Sequence, residues 1–577
     1  MNNIKPTLWA LLFSIVLILW FKWDAANAPK ITEPAQTQAQ SGVEDSKNLP
    51  SPAADTAVKP NQSVPNVESK ATHTGKLITV KTDVLELSID TQGGTIVESK
   101  LLKYPVSITD KTPIKLFDAT PAKLFQLESG LNSNHRKNAT HLAIFSADKT
   151  RYEMTGDSIA IPLTWSNNGV SVTKTFTFYK GRYDFDIIQQ VNNQSNKPWT
   201  GYQYRQLKRA EVVVKRGMTT FNTFAGAAYS TPDNKYERLQ FSDISDFQQD
   251  ANQIIKTGGA GNECNPYYCL AKNVPDGWEA MIQHYFMGAL ITKAADKDDF
   301  YTGRGDYYII GMSGQSHKVD VGGNFTFKAT GFVGPKVTGN LAGIAPNLGK
   351  ATDYGPFFFL SEFLFKVLDW VHSVVKNWGW AIVIVTLVIK TLLFPLAAKS
   401  FKSMAKMRKF QPEMERIREQ CGEDRQLQGK KMMELYKKEG INPASGCLPI
   451  IVQIPIFLAF YYMLMESVEL RQAPWIFWIK DLSLKDPLYI LPVLNMALMF
   501  IQQRLNPPPS DPIQRRVMMF LPLIFGVFFL FFPSGLVLYW AVSNLFSIIQ
   551  QYVITKRYGG LAHPLSHAED KHYHPKK

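Results

Sequence analysis

Hydrophobic and polar positions form two kinds of pattern along the chain. Short stretches in which polar and apolar residues alternate fill its middle, and long apolar runs stand at the N-terminus and after residue 356. Alternation with a period of two is typical of half-buried β-strands, whereas unbroken apolar runs of about 20 residues predict membrane-spanning helices. The patterns therefore predict a large water-soluble domain attached to a helical membrane bundle.

The alternating pattern is clearest in two stretches. In "VLELSI", residues 84–89, Leu85, Leu87 and Ile89 share one face, and the turn signal "TQGG" comes directly after. In "VSVTKTFTFYKGRYDFDI" a similar face precedes a turn at Lys180-Gly181, and its members are Val170, Val172, Phe176 and Phe178. We therefore predict an all-β domain over residues 76–336, a length that suits an extended sandwich.

The N-terminal apolar run predicts a membrane anchor over residues 1–23. The run ends in the aromatic cluster Trp20, Phe21 and Trp23, which is typical of a retained span at the membrane interface. A cleaved signal peptide is the alternative, because Ala26-Asn27-Ala28 resembles a signal-peptidase site. Both interpretations export the β domain, and residues 24–75, rich in Ala, Pro, Gln and Ser, predict a flexible linker.

The region after the β domain combines a connector with an amphipathic helix. Within residues 337–376, the apolar stretch 357–375 carries polar residues at steps of four, three and four: Glu362, Lys366, Asp369 and Ser373. This spacing places one narrow polar stripe on a helix, so we expect the helix to lie in the membrane interface.

Five further spans come after this helix, which makes six with the anchor. The predicted segments are helices at 377–398, 446–466, 487–503, 517–532 and 535–554, joined by segments 399–442, 467–486 and 504–516, with a tail at 555–577. Pro533-Ser534-Gly535 predicts a tight turn between the last two helices.

Basic residues predict the orientation of these spans. The 399–442 segment carries twelve Lys and Arg residues, whereas the 467–486 segment carries three. The positive-inside rule then places 399–442, 504–516, the tail and the N-terminus in the cytoplasm, and the β domain outside. The net charge of +14 is carried largely by the C-terminal part, so orientation explains it better than nucleic-acid binding, and no DNA partner is expected.

The 399–442 segment itself predicts a helical hairpin. Helical stretches are interrupted by Pro412 and by "CGED" at 421–424. Its methionines suit either the core of the hairpin or contact with variable apolar segments. Its basic face could meet ribosomal RNA or anionic lipid.

A lysine stands inside the predicted span 377–398. In "AIVIVTLVIKTLLFPL", Lys390 and Thr386 interrupt the apolar residues, and no Asp or Glu occurs at comparable depth in any span. Lys390 could extend its ammonium group to the inner interface. An intramembrane charge without a counter-ion more often faces water or a substrate, and we prefer that interpretation.

The last span offers a matching polar face. Ser543, Ser547 and Gln550 recur at helical spacing with Gln551, and Asn544 lies beside them. Interhelical hydrogen bonding alone could explain such a face. Two polar faces at similar depth also predict a hydrophilic groove that is open to the cytoplasm and closed above.

Signatures of enzymes and metal sites are weak. Gly343 to Lys350 lacks the spacing of a phosphate loop, and no histidine pair has zinc spacing, so we expect no catalytic residue, metal or cofactor. Cys264 and Cys269 lie in the exported domain, where they could form a local disulfide or remain two unpaired thiols.

Three long segments identify a family resemblance. They are "KSMAKMRKFQPEMERIRE", "GCLPIIVQIPIFLAFYYMLMESVELRQAPW" and "FPSGLVLYWAVSNLFSIIQQ". With them, the chain closely resembles the YidC membrane protein insertases of Gram-negative bacteria over essentially its whole length. The resemblance implies a six-span inner-membrane protein with a periplasmic β-supersandwich of the galactose-mutarotase type, a cytoplasmic hairpin and a groove for nascent membrane proteins. It also implies the ribosome and the Sec translocon as partners.

The resemblance also implies substrate-contacting residues. Lys390 falls where the family typically has arginine, which leaves a single positive charge without a bidentate guanidinium. Thr386 matches a groove threonine, and Trp540 replaces a family tyrosine. Positions of the third span that contact substrate correspond to Ile454, Pro455 and Phe457.

Two other functions fit parts of the chain. A secondary transporter could use Lys390 as a substrate site, although we find neither the inverted repeats nor the paired broken helices that it would need. A membrane-tethered protein that binds or epimerises carbohydrate would rest on the β domain alone. Insertion of membrane proteins is the function that we predict.

Overall fold

A computed structural model describes most of the chain. It covers residues 75–135, 137–212, 223–256, 264, 266–293, 296–422, 424–440, 448–506 and 512–557. The predicted anchor at 1–23, nearly all of the linker, Cys447 and most of the C-terminal tail lie outside these ranges. The chain divides into a β unit that ends at Asp353 and also includes Glu466–Val468, and a helical unit formed by Tyr354–Met465 and the residues from Glu469 onward.

The β unit consists mainly of strands. Their bounds are β1 Leu77–Lys81, β2 Leu85–Asp90, β3 Thr95–Pro105, β4 Pro113–Phe117, β5 Phe125–Ser133, β6 Arg151–Glu153, β7 Ser158–Asn167, β8 Val170–Tyr179, β9 Asp184–Asn193, β10 Trp199–Arg209, β11 Gly226–Ser230, β12 Glu237–Leu239, β13 Tyr268–Val274, β14 Gly277–Gln283, β15 Phe286–Thr292, β16 Asp298–Arg304, β17 Tyr308–Ser313, β18 His317–Val319 and β19 Asn324–Pro335.

These strands form two sheets. The larger has the order β13-β16-β17-β10-β5-β3-β2-β1-β6, with β18 beside β10 and β4 beside β3, and the smaller has the order β12-β11-β14-β15-β19-β9-β8-β7. Strand β1 pairs in parallel with β6, whereas its pairing with β2 is antiparallel. Apolar side chains from both sheets share one core, so the unit is a sandwich.

The predicted alternation is confirmed in both stretches. Leu85, Leu87 and Ile89 of β2 are buried. The predicted face of β8 is buried as well, and its members are Val170, Val172, Phe176 and Phe178. The turn after β8 contains Gly181 at φ 72°, a left-handed conformation that glycine adopts without strain.

The β unit also contains helices, one inside the region predicted as all-β and one in the predicted connector. Helix α1, Phe241–Lys256, packs along the sandwich, and α2, Thr338–Leu341, is a single turn. Phe241, Ile244 and Ala251 of α1 are buried at helical spacing. This amphipathic pattern was missed because it lies between strands whose alternation dominates the region.

A disulfide joins Cys264 to Cys269 in the β unit. Their Cα atoms are 5.3 Å apart. Cys264 packs in a small cluster with Tyr267, Tyr301 and Ile309. Of the two remaining cysteines, Cys421 is a buried free thiol.

Within its described residues, the helical unit contains helices α3 to α11. Their bounds are α3 Phe358–Val375, α4 Trp378–Leu392, α5 Phe394–Lys409, α6 Gln411–Cys421, α7 Arg425–Glu439, α8 Leu448–Glu466, α9 Ile490–Leu505, α10 Pro512–Phe529 and α11 Ser534–Arg557. Helix α3 buries Leu364 and Leu368 on one side, while Lys366 of the predicted polar stripe pairs with Glu362 at 2.8 Å.

The predicted span 377–398 is broken near its end. Asn377 caps α4 by accepting a hydrogen bond from the Trp380 amide, and α4 ends at Leu392. Helix α5 then starts with its axis turned by 65°. Pro395 lies in the first turn of α5, where a residue without an N–H group is tolerated, whereas in a continuous helix it would remove a hydrogen bond.

The segment predicted as a hairpin contains α6 and α7. Helix α6 ends at Cys421, and Asp424 caps α7 through the amides of Gln426 and Leu427. Met414 is buried between the two helices and accepts a hydrogen bond from the Tyr436 hydroxyl. Met414 therefore has the first of the two roles considered for these methionines, a place in the hairpin core, whereas Met433 is exposed.

Helix α11 occupies the centre of the helical unit. It packs against α4, α5 and α9, and many of its side chains are buried. The predicted turn overlaps the first residues of this helix: the Ser534 amide donates to the Leu484 carbonyl and the Gly535 amide to the Leu482 carbonyl. The segment between α8 and α9 therefore braces the start of α11.

Length and apolar composition identify few spans in the described part of the chain. Helix α11 qualifies, and the bent pair α4 and α5 qualifies if it counts as one span. The count of six spans stays a prediction. Helix α10 does expose many apolar side chains, among them Phe520, Ile524 and Phe528, a pattern typical of contact with lipid.

Candidate functional site

Lys390 points its ammonium group toward two neighbouring helices. The half-buried side chain leaves the last turn of α4, and its Nζ donates to Ser547 Oγ of α11 at 2.9 Å and to Gln453 Oε1 of α8 at 3.2 Å. Within the described residues no carboxylate forms an ion pair with it. Three helices therefore meet at one positive charge held by neutral partners.

The polar face of α11 supports this lysine. Ser547 donates its hydroxyl proton to the Ser543 carbonyl at 2.8 Å, which leaves the Oγ lone pairs for Lys390. Gln453 is held in turn by a 3.2 Å hydrogen bond to Ser543 Oγ, and Gln550 Nε2 reaches the Lys390 carbonyl at 3.5 Å. The predicted α11 residues thus position Lys390.

Other amides of this face join α11 to α9. Asn544 Nδ2 donates to Asn495 Oδ1, and Gln551 Nε2 donates to Asn506 Oδ1, both at 2.8 Å. Interhelical hydrogen bonding was the alternative interpretation of this face, and the structure contains it. Asn544 and Ser547 of the same face also line a cavity, and the hydrophilic groove that we expected there stays a prediction.

A cleft of about 280 Å³ opens beside Lys390. Helices α4, α8, α9, α10 and α11 contribute its lining, which is Lys390, Gln453, Ile454, Phe457, Met499, Gln502, Gln503, Asn506, Met518, Leu521, Pro522, Trp540, Asn544 and Ser547. One positive charge, several amides and an apolar remainder make this cleft suitable for a chain that is partly polar. It has ample room for several waters.

Trp540 packs against aromatic side chains of two neighbouring helices, α8 and α10. Its ring meets Phe457 edge-on at 4.9 Å between centroids and lies 5.3 Å from Phe529 of α10. Its buried Nε1 has no hydrogen-bond partner within the described residues. Ile454, one turn before Phe457, is 48% exposed.

Two predicted residues lie away from the cleft surface. Thr386 is 1% exposed and donates its hydroxyl proton to the Ile382 carbonyl at 2.6 Å. Pro455 lies inside α8 and is absent from the cleft lining. The roles that we expected for both in contact with substrate stay predictions.

The lining includes residues that sequence reasoning missed. Gln453 is the one amide in the apolar run of α8, and that isolation was a usable signal. Gln502, Gln503 and Asn506 come after the apolar part of α9, where polar residues are usually read as the end of a span. Only the packing of α9 against α11 brings them to the cleft.

The sequence matches two families along most of its length. Residues 370–560 match the family described as 60Kd inner membrane protein, and residues 77–367 match the YidC periplasmic domain. The helical part thus belongs to an inner membrane protein, and the β unit is its periplasmic domain.

Individual relatives agree with these matches. The membrane protein insertase YidC of Methylococcus capsulatus is 41% identical over 567 residues, which cover 96% of this chain and 98% of the relative. That of Thioalkalivibrio sulfidiphilus is 40% identical over 575 residues, with 96% and 98% covered.

A solved structure described as an active YidC insertase with its first transmembrane domain resolved covers 84% of this chain and 93% of its own. It is 19% identical with a TM-score of 0.36. The two sequence relatives match at about 40% identity over 96% of this chain. The chain therefore belongs to the YidC family of membrane protein insertases.

Proposed function

We propose that this protein inserts integral membrane proteins into the bacterial inner membrane and helps them to fold. The observation that carries the proposal is the amide-lined cleft with one positive charge, Lys390, held by neutral groups. A charge without a counter-ion inside a membrane bundle is costly unless water or a ligand reaches it. The substrate's acidic or polar segment supplies that partner.

The cleft gives a polar segment a route that avoids hydrocarbon. Unpaired peptide groups and charges are strongly disfavoured in the lipid core. Amides and water in the cleft solvate such a segment while it leaves the cytoplasm, and Lys390 attracts its acidic residues. Because the cleft also has an apolar side with Ile454 and Phe457, an apolar segment can rest beside lipid during the same step.

The driving force is the burial of the substrate's apolar segment in lipid. Transfer of apolar surface out of water yields about 25 cal/mol per Å². A segment of about 20 apolar residues therefore gains enough to insert without nucleotide hydrolysis. This proposal needs no catalytic residue and no cofactor.

The proposed topology rests on the distribution of basic residues. Six spans place both termini and the 399–442 hairpin in the cytoplasm, with domain boundaries as predicted from the sequence. The basic hairpin meets the ribosome or anionic lipid, and substrates arrive either directly or from the Sec translocon. The cleft opens toward this cytoplasmic side.

Site-specific photo-crosslinking tests the proposal. A crosslinker at Ile454 or Phe457 is expected to capture a ribosome-bound nascent membrane protein. Ile524 is a matched control, because it is 62% exposed on α10 and lies outside the cleft lining. Equal labelling from the control position would contradict the placement of substrate in the cleft.

A further inference from the structure

The end of α9 forms a wall of the cleft with a distinct chemistry. Gln502 and Gln503 of α9 and Asn506, the residue after its end, all line the cavity. All three are neutral carboxamides. None of them belongs to the lysine-centred group of α4, α8 and α11 that the proposed attraction of acidic residues requires.

Neutral amides dominate the polar lining as a whole. Apart from the charge of Lys390, the hydroxyl of Ser547 and the indole N–H of Trp540, the polar groups are carboxamides: Gln453, Gln502, Gln503, Asn506 and Asn544. No carboxylate is among the lining residues. A carboxamide both donates and accepts hydrogen bonds, as a peptide group does.

Several polar atoms around this wall have no partner within the described residues. They are the buried atoms Trp540 Nε1, Asn495 Nδ2 and Gln551 Oε1. Trp540 is itself a lining residue, whereas Asn495 and Gln551 are hydrogen-bonded to the lining residues Asn544 and Asn506. Buried polar atoms without partners are uncommon and destabilise the fold. Three such atoms in the lining or one hydrogen bond behind it indicate that polar groups around the cleft are not fully satisfied by the packing of the helices.

We propose that the carboxamide wall of Gln502, Gln503 and Asn506 binds the main chain of an extended substrate segment, and so recognises it whatever its sequence. This inference rests on the proposed insertase function and assigns the substrate chemistry of the same cleft. The peptide groups of an extended segment lack internal hydrogen bonds and need partners while they are out of water. Amides supply donors and acceptors together without preferring either charge.

The apolar lining fits the same occupant. Met499 and Met518 face the cleft beside Leu521. Unbranched, polarisable methionine side chains adapt to partners of different shape. The wall therefore holds the backbone common to all substrates, the methionines accommodate their varied side chains, and Lys390 adds a preference for acidic segments.

Crosslinking with two matched substrates tests the inference. The protein carries a photo-crosslinker at Leu521, and the probe is a ribosome-stalled single-span nascent chain whose leading segment is either acidic or composed of Ser and Gly. The combined substitution Gln502→Met and Gln503→Met keeps side-chain length and removes the amides. We expect it to lower capture of both segments about equally, by about fivefold for each hydrogen bond lost. Lys390→Gln is expected to lower capture of the acidic segment alone.

A backbone probe sharpens the test. Replacing amino acids of the Ser and Gly segment by α-hydroxy acids exchanges peptide N–H groups for ester oxygens. Capture by the parent protein should fall several-fold, with little further loss in the double-methionine variant, because both changes remove the same hydrogen bonds. Two results would overturn the inference: losses from the ester substrate and from the double-methionine variant that add independently, or capture by the variant that equals that of the parent. Either result would mean that these amides bind only water. Failure of the parent protein to capture either nascent chain would instead contradict the proposed function.

Discussion

Lys390 Nζ donates a 2.9 Å hydrogen bond to Ser547 Oγ, which joins the end of α4 to the middle of α11. A lysine that extends along its own helix to the membrane interface would not turn toward a serine of another helix. The relationship therefore favours a charge directed into the cleft. It also shows why the polar face of α11 matters, since that face fixes where the charge sits.

Removing this serine hydroxyl should weaken capture of acidic segments. A hydrogen bond to a charged group contributes about 2 kcal/mol, although water can replace part of it here. We expect Ser547→Ala to lower crosslinking of an acidic nascent segment from Phe457 several-fold and to leave a neutral segment almost unaffected. Ser373→Ala, at an exposed position of α3, is the control. Equal loss for both segments would show that Ser547 only supports the packing of α11.

Glu279 should make the β unit less stable at alkaline pH. Both carboxyl oxygens are buried without partners in the described part of the chain, beside the ion pair of Arg205 with Asp298 at 2.5 Å. Burial raises the pKa of the Glu279 carboxyl well above its ordinary value of 4.5. The folded state then binds a proton that the unfolded state releases, so stability falls as pH rises above 4.5.

The substitution Glu279→Gln is therefore expected to stabilise the β unit at pH 8 and to have little effect at pH 4. Pulse proteolysis of the full-length protein in nanodiscs, measured against urea, gives the free energy of unfolding at each pH. Glu237→Gln, at an exposed position of β12, should change neither value. A stabilisation that is independent of pH would contradict the protonated state of Glu279.

Lys174 should have the opposite pH dependence. It is fully buried in β8, and its Nζ donates to the carbonyls of Gly93 and Ser129 at 2.5 and 2.6 Å. Burial lowers the pKa of the Lys174 ammonium group from 10.5 to about 7. Between these values the unfolded state holds the extra proton, so this group adds stability as pH rises from 7, by about 1.4 kcal/mol per pH unit at most.

Comparison with Lys174→Met isolates this contribution. The free energy of unfolding of the parent should rise relative to the variant between pH 7 and pH 9. Lys328→Met, at an exposed position of β19, is the matched control and should run parallel to the parent. If the free energy of unfolding of Lys174→Met also changes with pH in parallel with that of the parent, the buried amine does not titrate in this range.

The periodicity of the sequence predicts which side chains are buried in strands that bury only one face. Leu85 and Phe176 lie inside because their strands alternate, as expected. Lys174 occupies the same inward face of β8, but its burial was not predicted. Alternation with a period of two does not show whether carbonyl oxygens in the core are placed to bind an ammonium group. The break of α4 at Leu392 was missed too, although Pro395 gave the physical reason for it.

The candidate site was predictable only in part. Lys390 and Ser547 stand out because polar residues inside apolar spans are costly, and the structure brings them together. Gln502 and Gln503 lie where a span meets water, so polar residues at these positions are explained by the end of the span alone. Tertiary packing of α9 and α10 around α11 decides that they face the cleft, and no local pattern contains that information.

The most direct test of the central claim uses Lys390 in reconstituted liposomes. The substrate is a single-span protein with an acidic leading segment, and the measured quantity is the fraction of that segment protected from external protease. We expect Lys390→Arg to retain most of the parent's insertion, because one positive charge in the cleft suffices, and Lys390→Glu to lose most of it through repulsion of the acidic segment. Full insertion by Lys390→Glu, at equal protein content, would contradict a role for this charge in receiving substrate.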